Sequence, residues 1–283
     1  MSGPVLADRH GQVAVLTVDR PQVRNAWDVP TYRALTAAIS DATADPGVGA
    51  IVLTGAGTTY CSGVDLKAPP EPPDASGRAP TVGTLSMART SHWLELVAGA
   101  KPLIVALNGA AVGVGATHIL AADIRLAAAS ATIRFPFLSL RTLPELGSTA
   151  LLPRLVGAGR ARELLLTGRP VGAEEALRIG LVSAVYPDDQ LLVQAIATAA
   201  AIASLPALQV QLTRHLLDDN ADGADAGAVL QRESRAFATL MRSGSTNVRP
   251  GRARGQNQAG PPARAAGLGI RNTTGGPDER QAK

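Results

Sequence analysis

The segment Asn108-Gly-Ala-Ala-Val-Gly-Val-Gly-Ala-Thr-His-Ile-Leu-Ala-Ala-Asp123 constrains what this chain can fold into more than any other. Before it lies Leu103-Ile-Val-Ala-Leu107, a wholly apolar run bounded by Lys101-Pro102 and Asn108-Gly109, which reads as a buried strand. Glycines follow at 109, 113 and 115, and the apolar run from Ala116 to Ala122 then predicts a helix. A strand, a glycine turn and a helix start in that order leave backbone N–H groups free at the first helical turn. Such donors, helped by the helix dipole, suit an anion or a developing oxyanion. The same pattern also lets a helix pack closely on a sheet with no chemistry at all, and this segment alone does not separate the two readings.

Ala50-Ile-Val-Leu-Thr54 is a second short apolar strand, followed by Gly55-Ala-Gly57 and then Tyr60-Cys-Ser-Gly-Val-Asp-Leu-Lys67. Two strand-to-turn units of this kind can aim two backbone donors at one oxygen. That is the arrangement needed to stabilise an enolate or a tetrahedral intermediate.

Cys61-Ser-Gly-Val-Asp-Leu66 and Asn108 through Ala116 resemble the two signature segments of the crotonase superfamily, the enoyl-CoA hydratases and isomerases. Val13-Ala-Val-Leu-Thr-Val-Asp-Arg-Pro21, with Asn25-Ala26 after it, is similar to the family's opening strand and turn. Leu152-Pro-Arg-Leu-Val-Gly157 and Ala176-Leu-Arg-Ile-Gly-Leu-Val182 resemble its later helices. Several segments in family order are far more specific than one glycine motif. The resemblance runs from residue 5 to residue 242 and implies an α/β fold, a crotonase-type spiral of β-β-α units over 1–188. A helical region at 189–242 would then pack on neighbouring subunits of a homotrimer or of a hexamer built from trimers.

Composition agrees with a soluble, cytoplasmic protein. The chain is 46% hydrophobic and 18% charged, while only 3% is aromatic, so its core must be built from Ala, Val, Leu and Ile. No apolar run approaches the ~18 residues of a membrane span, and Met-Ser-Gly-Pro lacks the charged-then-apolar order of a leader. The single cysteine, Cys61, excludes an internal disulfide and is expected to be a buried packing residue rather than a nucleophile. The net charge of +4 is uneven, because the tail from Ser243 to Lys283 holds seven basic residues against two acidic ones. That tail is rich in Gly, Pro, Arg, Asn and Gln and has no apolar period, so disorder is expected. It has no aromatic residue for base stacking, which argues against nucleic acid as a partner.

Along the chain, alternation predicts a strand at Val13–Val18, and Asp28 with Pro30 predicts a helix start. Residues 68–83 contain five prolines and read as an irregular loop, with a helix expected at 84–98. Extended segments are expected at 123–127 and 132–135, and helices from Ser148 onward. Within 189–242 three helices are expected, with Pro206 opening one and Gly223 separating the next.

The resemblance implies that an acyl-CoA thioester carbonyl sits between the N–H groups of Val64 and Val114, with Gly63 and Gly113 shaping the two turns. No metal or separate cofactor is implied, because coenzyme A enters as part of the substrate. The standard hydratase of this family uses two glutamates, and their places are taken here by Thr117 and Phe137, neither of which can act as a carboxylate base. Both are expected beside the substrate. His118 should point about 100° away from Thr117 around the helix.

One carboxylate remains. Thr142-Leu-Pro-Glu-Leu-Gly-Ser148 resembles the segment that carries the single acid of several enoyl-CoA isomerases, and Glu145 occupies that position. In an apolar pocket with Phe137 and Leu143 nearby its pKa should rise; alternatively its carboxylate caps the helix that starts at Gly147. Asp65 is expected to bond local backbone N–H groups. Arg24 and Lys67 either hold coenzyme A phosphates or are solvated surface charges. At Ser243-Gly-Ser-Thr-Asn-Val-Arg-Pro250 the chain departs from the family's acidic-aromatic and Lys-Arg ending, so that contribution to coenzyme A binding is not carried over.

The reading that follows is an enoyl-CoA isomerase using Glu145. Its rivals are a hydratase of the same fold, an acyl-CoA-binding protein without turnover, and a thioester hydrolase or ring-opening enzyme on the same oxyanion site. Removing residues 243–283 should leave the elution volume expected of an intact oligomer on size-exclusion chromatography, since the segment has no apolar face to bury; dissociation would show a structural role for it.

Overall fold

The computed structural model describes residues 3–73, 92–221 and 225–245, together with 77, 79, 81 and 223. The expected helix at 84–98 lies partly outside these residues; its described part is α2, His92–Gly99. The expected disorder beyond Ser245 also lies outside them, and the helix before it runs to Ser243.

From the third strand to the eighth, consecutive strands alternate between two sheets, and this alternation builds the spiral. The main sheet is six-stranded and the second four-stranded. In the main sheet lie β1 (Val5–His10), β2 (Val13–Val18), β3 (Ala50–Gly55), β5 (Leu103–Leu107), β7 (Ile124–Ala128) and β10 (Ala184–Tyr186), in that spatial order. The second sheet holds β4 (Thr59–Cys61), β6 (Ala110–Val112), β8 (Thr132–Arg134) and β9 (Val171–Gly172). Thus β3-β4, β5-β6 and β7-β8 are three turns of one spiral, each laid parallel beside the last.

Strands β3 and β5 are buried along their whole length, which is why they read as unbroken apolar runs rather than alternating ones. The hairpin strand β1 was not foreseen. It pairs antiparallel with β2 at the sheet edge, and its exposed Asp8-Arg9-His10 carry no burial signal.

Helix α1 (Val29–Ala44) starts as expected, with the Asp28 carboxylate accepting from the Thr31 N–H at 2.8 Å and Pro30 in the first turn. The helix after the second glycine turn differs from expectation. It starts at Val114 but is shorter than the apolar run to Ala122, for α3 (Val114–Thr117) gives way at once to a 3₁₀ turn, His118–Ala121. So short an element sums few peptide dipoles, and the free N–H groups at its start matter more than its macrodipole.

From Ser148 the chain is mainly helical: α4 (Ser148–Val156), α5 (Ala158–Thr167), α6 (Ala173–Arg178), α7 (Leu191–Ala203), α8 (Ala207–Asp219) and α9 (Ala226–Ser243). Of the three C-terminal helices, α7 buries Leu191, Ala195 and Ala199 against the main sheet. Helices α8 and α9 bury no residue. Among the described residues no single helix is long and apolar enough to cross a membrane.

Two asparagines fasten the turns at this end of the spiral. The Asn108 amide donates to the Gly55 and Gly57 carbonyls at 2.8 Å each, joining the β5 turn to the β3 turn. Buried Asn25 donates to Ala56 and Thr59 and accepts from the Arg20 N–H. Between them Gly109 passes so close to Thr58 that an added Cβ would lie 2.0 Å from its carbonyl oxygen. Gly109→Ala should therefore destabilise the fold by about 1–3 kcal/mol, the usual cost of overpacking, measured as a lowered urea midpoint. An unchanged midpoint would show that the turn has slack.

Candidate active site

Parallel pairing of β4 with β6 places the two glycine turns side by side. Cys61 pairs with Ala111, and a Cβ on Gly113 would lie 4.0 Å from the Gly63 Cα. Gly63 has φ 110° and Gly113 φ 57°, both in the region that L side chains rarely adopt. Gly115 is tightly held as well: a Cβ there would stand 2.5 Å from the Cys61 carbonyl oxygen and 2.8 Å from the Cys61 Cβ. Cys61 is buried with its thiol pushed up to about 12, which agrees with a packing role.

The two valines have unpaired N–H groups for different reasons. Trp27 pairs with Val64 as an isolated parallel bridge: the Trp27 N–H donates to Gly63 O and the Asp65 N–H to Trp27 O, both at 2.8 Å. These bonds flank Val64 and leave its own N–H facing away from Trp27. Val114 is the first residue of α3, where no intrahelical acceptor exists. Neither N–H donates to a protein acceptor among the described residues. Behind Val114, the Gly113 carbonyl accepts from the Ala116 and Thr117 N–H groups and from the Thr117 hydroxyl at 3.3 Å. Such bonds polarise the Gly113–Val114 peptide and strengthen its N–H as a donor.

Thr117 and Phe137, expected beside the substrate, are both buried. The Thr117 hydroxyl turns back to its own helix, and Phe137 packs in the core before a short 3₁₀ turn. His118 points away from Thr117 into the interior. Burial lowers its pKa to about 4, and both ring nitrogens are taken, by the Val114 carbonyl and the Tyr60 hydroxyl.

Glu145 is half-buried, and burial raises its pKa. Its carboxylate has no hydrogen-bond partner among the described residues, and α4 has no side-chain cap, so the capping alternative fails. The Ser148 N–H instead donates to the Glu145 backbone carbonyl at 2.9 Å. Leu146 and Gly147 both have positive φ and bend the chain between Glu145 and α4. One expectation needs correction: Leu143 is 74% exposed and is no wall of a pocket around Glu145, because its side chain is turned to solvent.

Asp65 accepts from the Lys67 N–H at 3.1 Å, as expected, and also pairs with Arg20. Arg20 was missed in the sequence. It binds Asp28 at 2.9 Å, Asp65 at 3.1 Å and the Ala26 carbonyl at 2.6 Å, fastening the 20–28 segment to the first turn. No local pattern marks it, since its partners are brought together only by the fold. Arg24 is exposed, in the left-handed conformation, with its carbonyl accepting from the Ser62 N–H. Lys67 is also exposed, so both cations flank the first turn.

The sequence profile of the enoyl-CoA hydratase/isomerase family matches residues 8–252. This chain belongs to that family. A probable enoyl-CoA hydratase of Mycobacterium bovis is 38% identical over 235 residues, covering 81% of this chain and 82% of that one. The structure of a probable enoyl-CoA hydratase/isomerase from Mycobacterium abscessus is 31% identical with a TM-score of 0.75, covering 85% of this chain and 91% of that one. A monofunctional enoyl CoA isomerase from M. smegmatis is 32% identical with a TM-score of 0.67, covering 81% of this chain and 99% of that one. The fold is of the crotonase type, and the protein is an enzyme of the hydratase/isomerase class acting on acyl-CoA.

Any side chain at position 115 must push the second turn off Cys61. Gly115→Val should reduce turnover of enoyl-CoA by roughly 10² or more, the scale of losing one oxyanion donor, in protein that circular dichroism shows to be folded. Full activity in such a variant would remove the two turns from the site.

Proposed function

We propose that this enzyme is an enoyl-CoA isomerase that shifts a double bond from carbon 3 to carbon 2 of an acyl thioester. The N–H groups of Val64 and Val114 bind the thioester oxygen. Glu145 takes a proton from carbon 2, the negative charge spreads onto that oxygen as a dienolate, and Glu145 returns the proton at carbon 4. One group serves both transfers, so no second carboxylate and no water are needed.

The observation that carries this reading is the pairing of one free carboxylate with two lost ones. Among the described residues Glu145 has no hydrogen-bond partner, and burial holds it above the ordinary glutamate pKa of 4.5, which suits a group that must both accept and release a proton. Thr117 and Phe137, at the places of the hydratase glutamates, are buried and cannot ionise. The other acid near the turns, Asp65, is committed to Arg20. Arg24 and Lys67, exposed on either side of the first turn, are the cations proposed for the coenzyme A phosphates. Assembly as a trimer or hexamer is supported by α8 and α9, which bury nothing within the chain and expose Leu217, Leu230 and Phe237.

Hydration is the second reading, favoured by the hydratase name of the M. bovis relative. Incubation with 3-enoyl-CoA and, separately, 2-enoyl-CoA separates the two: isomerisation of the first supports our reading, and hydration of the second overturns it. Glu145→Gln keeps the shape and removes the ionisable group. Isomerase activity should fall by roughly 10² to 10⁴, the scale of general acid–base catalysis, with little change in acyl-CoA affinity. In the wild type the carboxylate form is the base, so the rate should rise with pH through a pKa above 4.5, and that acid limb should vanish in the Gln variant. A Gln variant as fast as wild type would refute the assignment.

A further inference from the structure

A buried imidazole links the second turn to strand β4, which leads into the first. His118 leaves the end of α3, and its Nδ1 is 2.7 Å from the carbonyl oxygen of Val114. A carbonyl only accepts, so Nδ1 carries the proton and Nε2 is left as an acceptor. Nε2 lies 2.8 Å from the hydroxyl of Tyr60, which donates to it. Tyr60 is the residue before Cys61 in β4, the strand that leads into the first turn. A continuous path therefore runs from β4 through two side chains to Val114. It crosses the same gap that Gly115 and Cys61 close with backbone.

The path is held from all sides. The Trp27 ring lies 4.5 Å from the imidazole, Tyr60 stacks on it with planes 8° apart, and Trp93 meets it edge-on at 5.4 Å. The Trp93 indole N–H also donates to the His118 backbone carbonyl at 3.1 Å. Trp27 is the same residue whose backbone brackets Val64. In a chain with two tryptophans and three tyrosines, both tryptophans and Tyr60 surround this one ring. An aromatic investment on that scale, in so aromatic-poor a protein, fixes a geometry that apolar packing alone would leave loose. Burial keeps the ring neutral, with its pKa lowered to about 4, so the Tyr60 bond persists throughout the neutral range.

We propose that Tyr60 and His118 are positioning residues whose hydrogen-bonded link between β4 and Val114 sets the spacing of the Val64 and Val114 N–H groups around the thioester oxygen. The inference rests on the oxyanion role given to those two N–H groups. It does not depend on whether the product is an isomer or a hydrate.

Tyr60→Phe deletes only the hydroxyl, and a cinnamoyl thioester of coenzyme A reports the oxyanion site directly, because its absorbance moves to longer wavelength when its carbonyl is polarised. In wild type the bound probe should shift. In Tyr60→Phe the shift should shrink at similar affinity, and kcat on the enoyl thioester that wild type turns over should fall about 10- to 100-fold, the cost of misplacing a reacting group by a fraction of an ångström to an ångström. KM should stay within about threefold, since the spacing matters more to the transition state than to ground-state binding. His118→Gln, whose amide can donate to Val114 and accept from Tyr60, should retain more of both shift and kcat than His118→Leu. A Tyr60→Phe variant with full shift and full kcat, or equal losses in His118→Gln and His118→Leu, would overturn the proposal and leave the pair as packing. A wild type that binds the probe without any shift would instead refute the oxyanion reading itself, and this inference with it.

Discussion

The approach of Gly115 to Cys61 governs this molecule's working end. Parallel strands in a sheet lie 4.7–4.9 Å apart, but their following turns normally splay, because side chains fill the space between them. Here a Cβ on residue 115 would stand 2.5 Å from a backbone oxygen, so the turns stay as close as the strands beneath them. Everything else at this end accommodates that closeness. Asn108 and Asn25 satisfy the carbonyls that the tight turns leave over, and Gly63 and Gly113 adopt positive φ so that the chain can leave each strand sharply. Arg20 gathers Asp28 and Asp65 behind the first turn, and the pair is partly buried, so breaking it would strand a charge rather than release one to water.

The second constraint is chemical, and it comes from what fills the positions flanking the oxyanion site. Thr117 is bonded back to Gly113 and Phe137 lies in the core, so neither position offers a carboxylate. The Thr117 hydroxyl still bears on the site, because its bond to the Gly113 carbonyl acts on the very peptide whose N–H is proposed to meet the substrate. In the isomerase reading we propose, proton transfer falls to Glu145, which sits on a segment bent by two consecutive left-handed residues and free of the helix that follows.

Much of this was legible in the sequence because backbone demands leave strong marks. Unbroken apolar runs gave β3 and β5, Asp28 and Pro30 gave the start of α1, and the glycines gave both turns. The strand β1 was not legible, since an edge strand with Asp8, Arg9 and His10 facing solvent has no apolar period to read. The length of α3 was misjudged because the apolar run from Ala116 to Ala122 reflects burial, and burial does not distinguish an α-helix from a 3₁₀ turn. Leu143 was placed in the interior on hydrophobicity alone, yet it is exposed. Side-chain partnerships across the fold were invisible: nothing near Tyr60 announces His118, and nothing near Arg20 announces Asp65.

The alternation of strands between two sheets also bears on how the chain acquires its fold. In the main sheet Ile51 pairs with Leu103 only after one whole turn of the spiral is threaded, and Val13 pairs with Ala50 only across α1. Among the described residues only the β1–β2 hairpin closes locally, across Gly11 and Gln12. Loop-closure entropy is thus lost before most sheet contacts can compensate for it, which slows folding relative to a helical bundle of similar size. During that interval the apolar strands β3 and β5 are exposed edges awaiting their neighbours, the condition under which newly made chains associate wrongly. The charged residues of β1, which contribute nothing to the core, lie on an edge strand of the main sheet, where charge discourages pairing with a second chain.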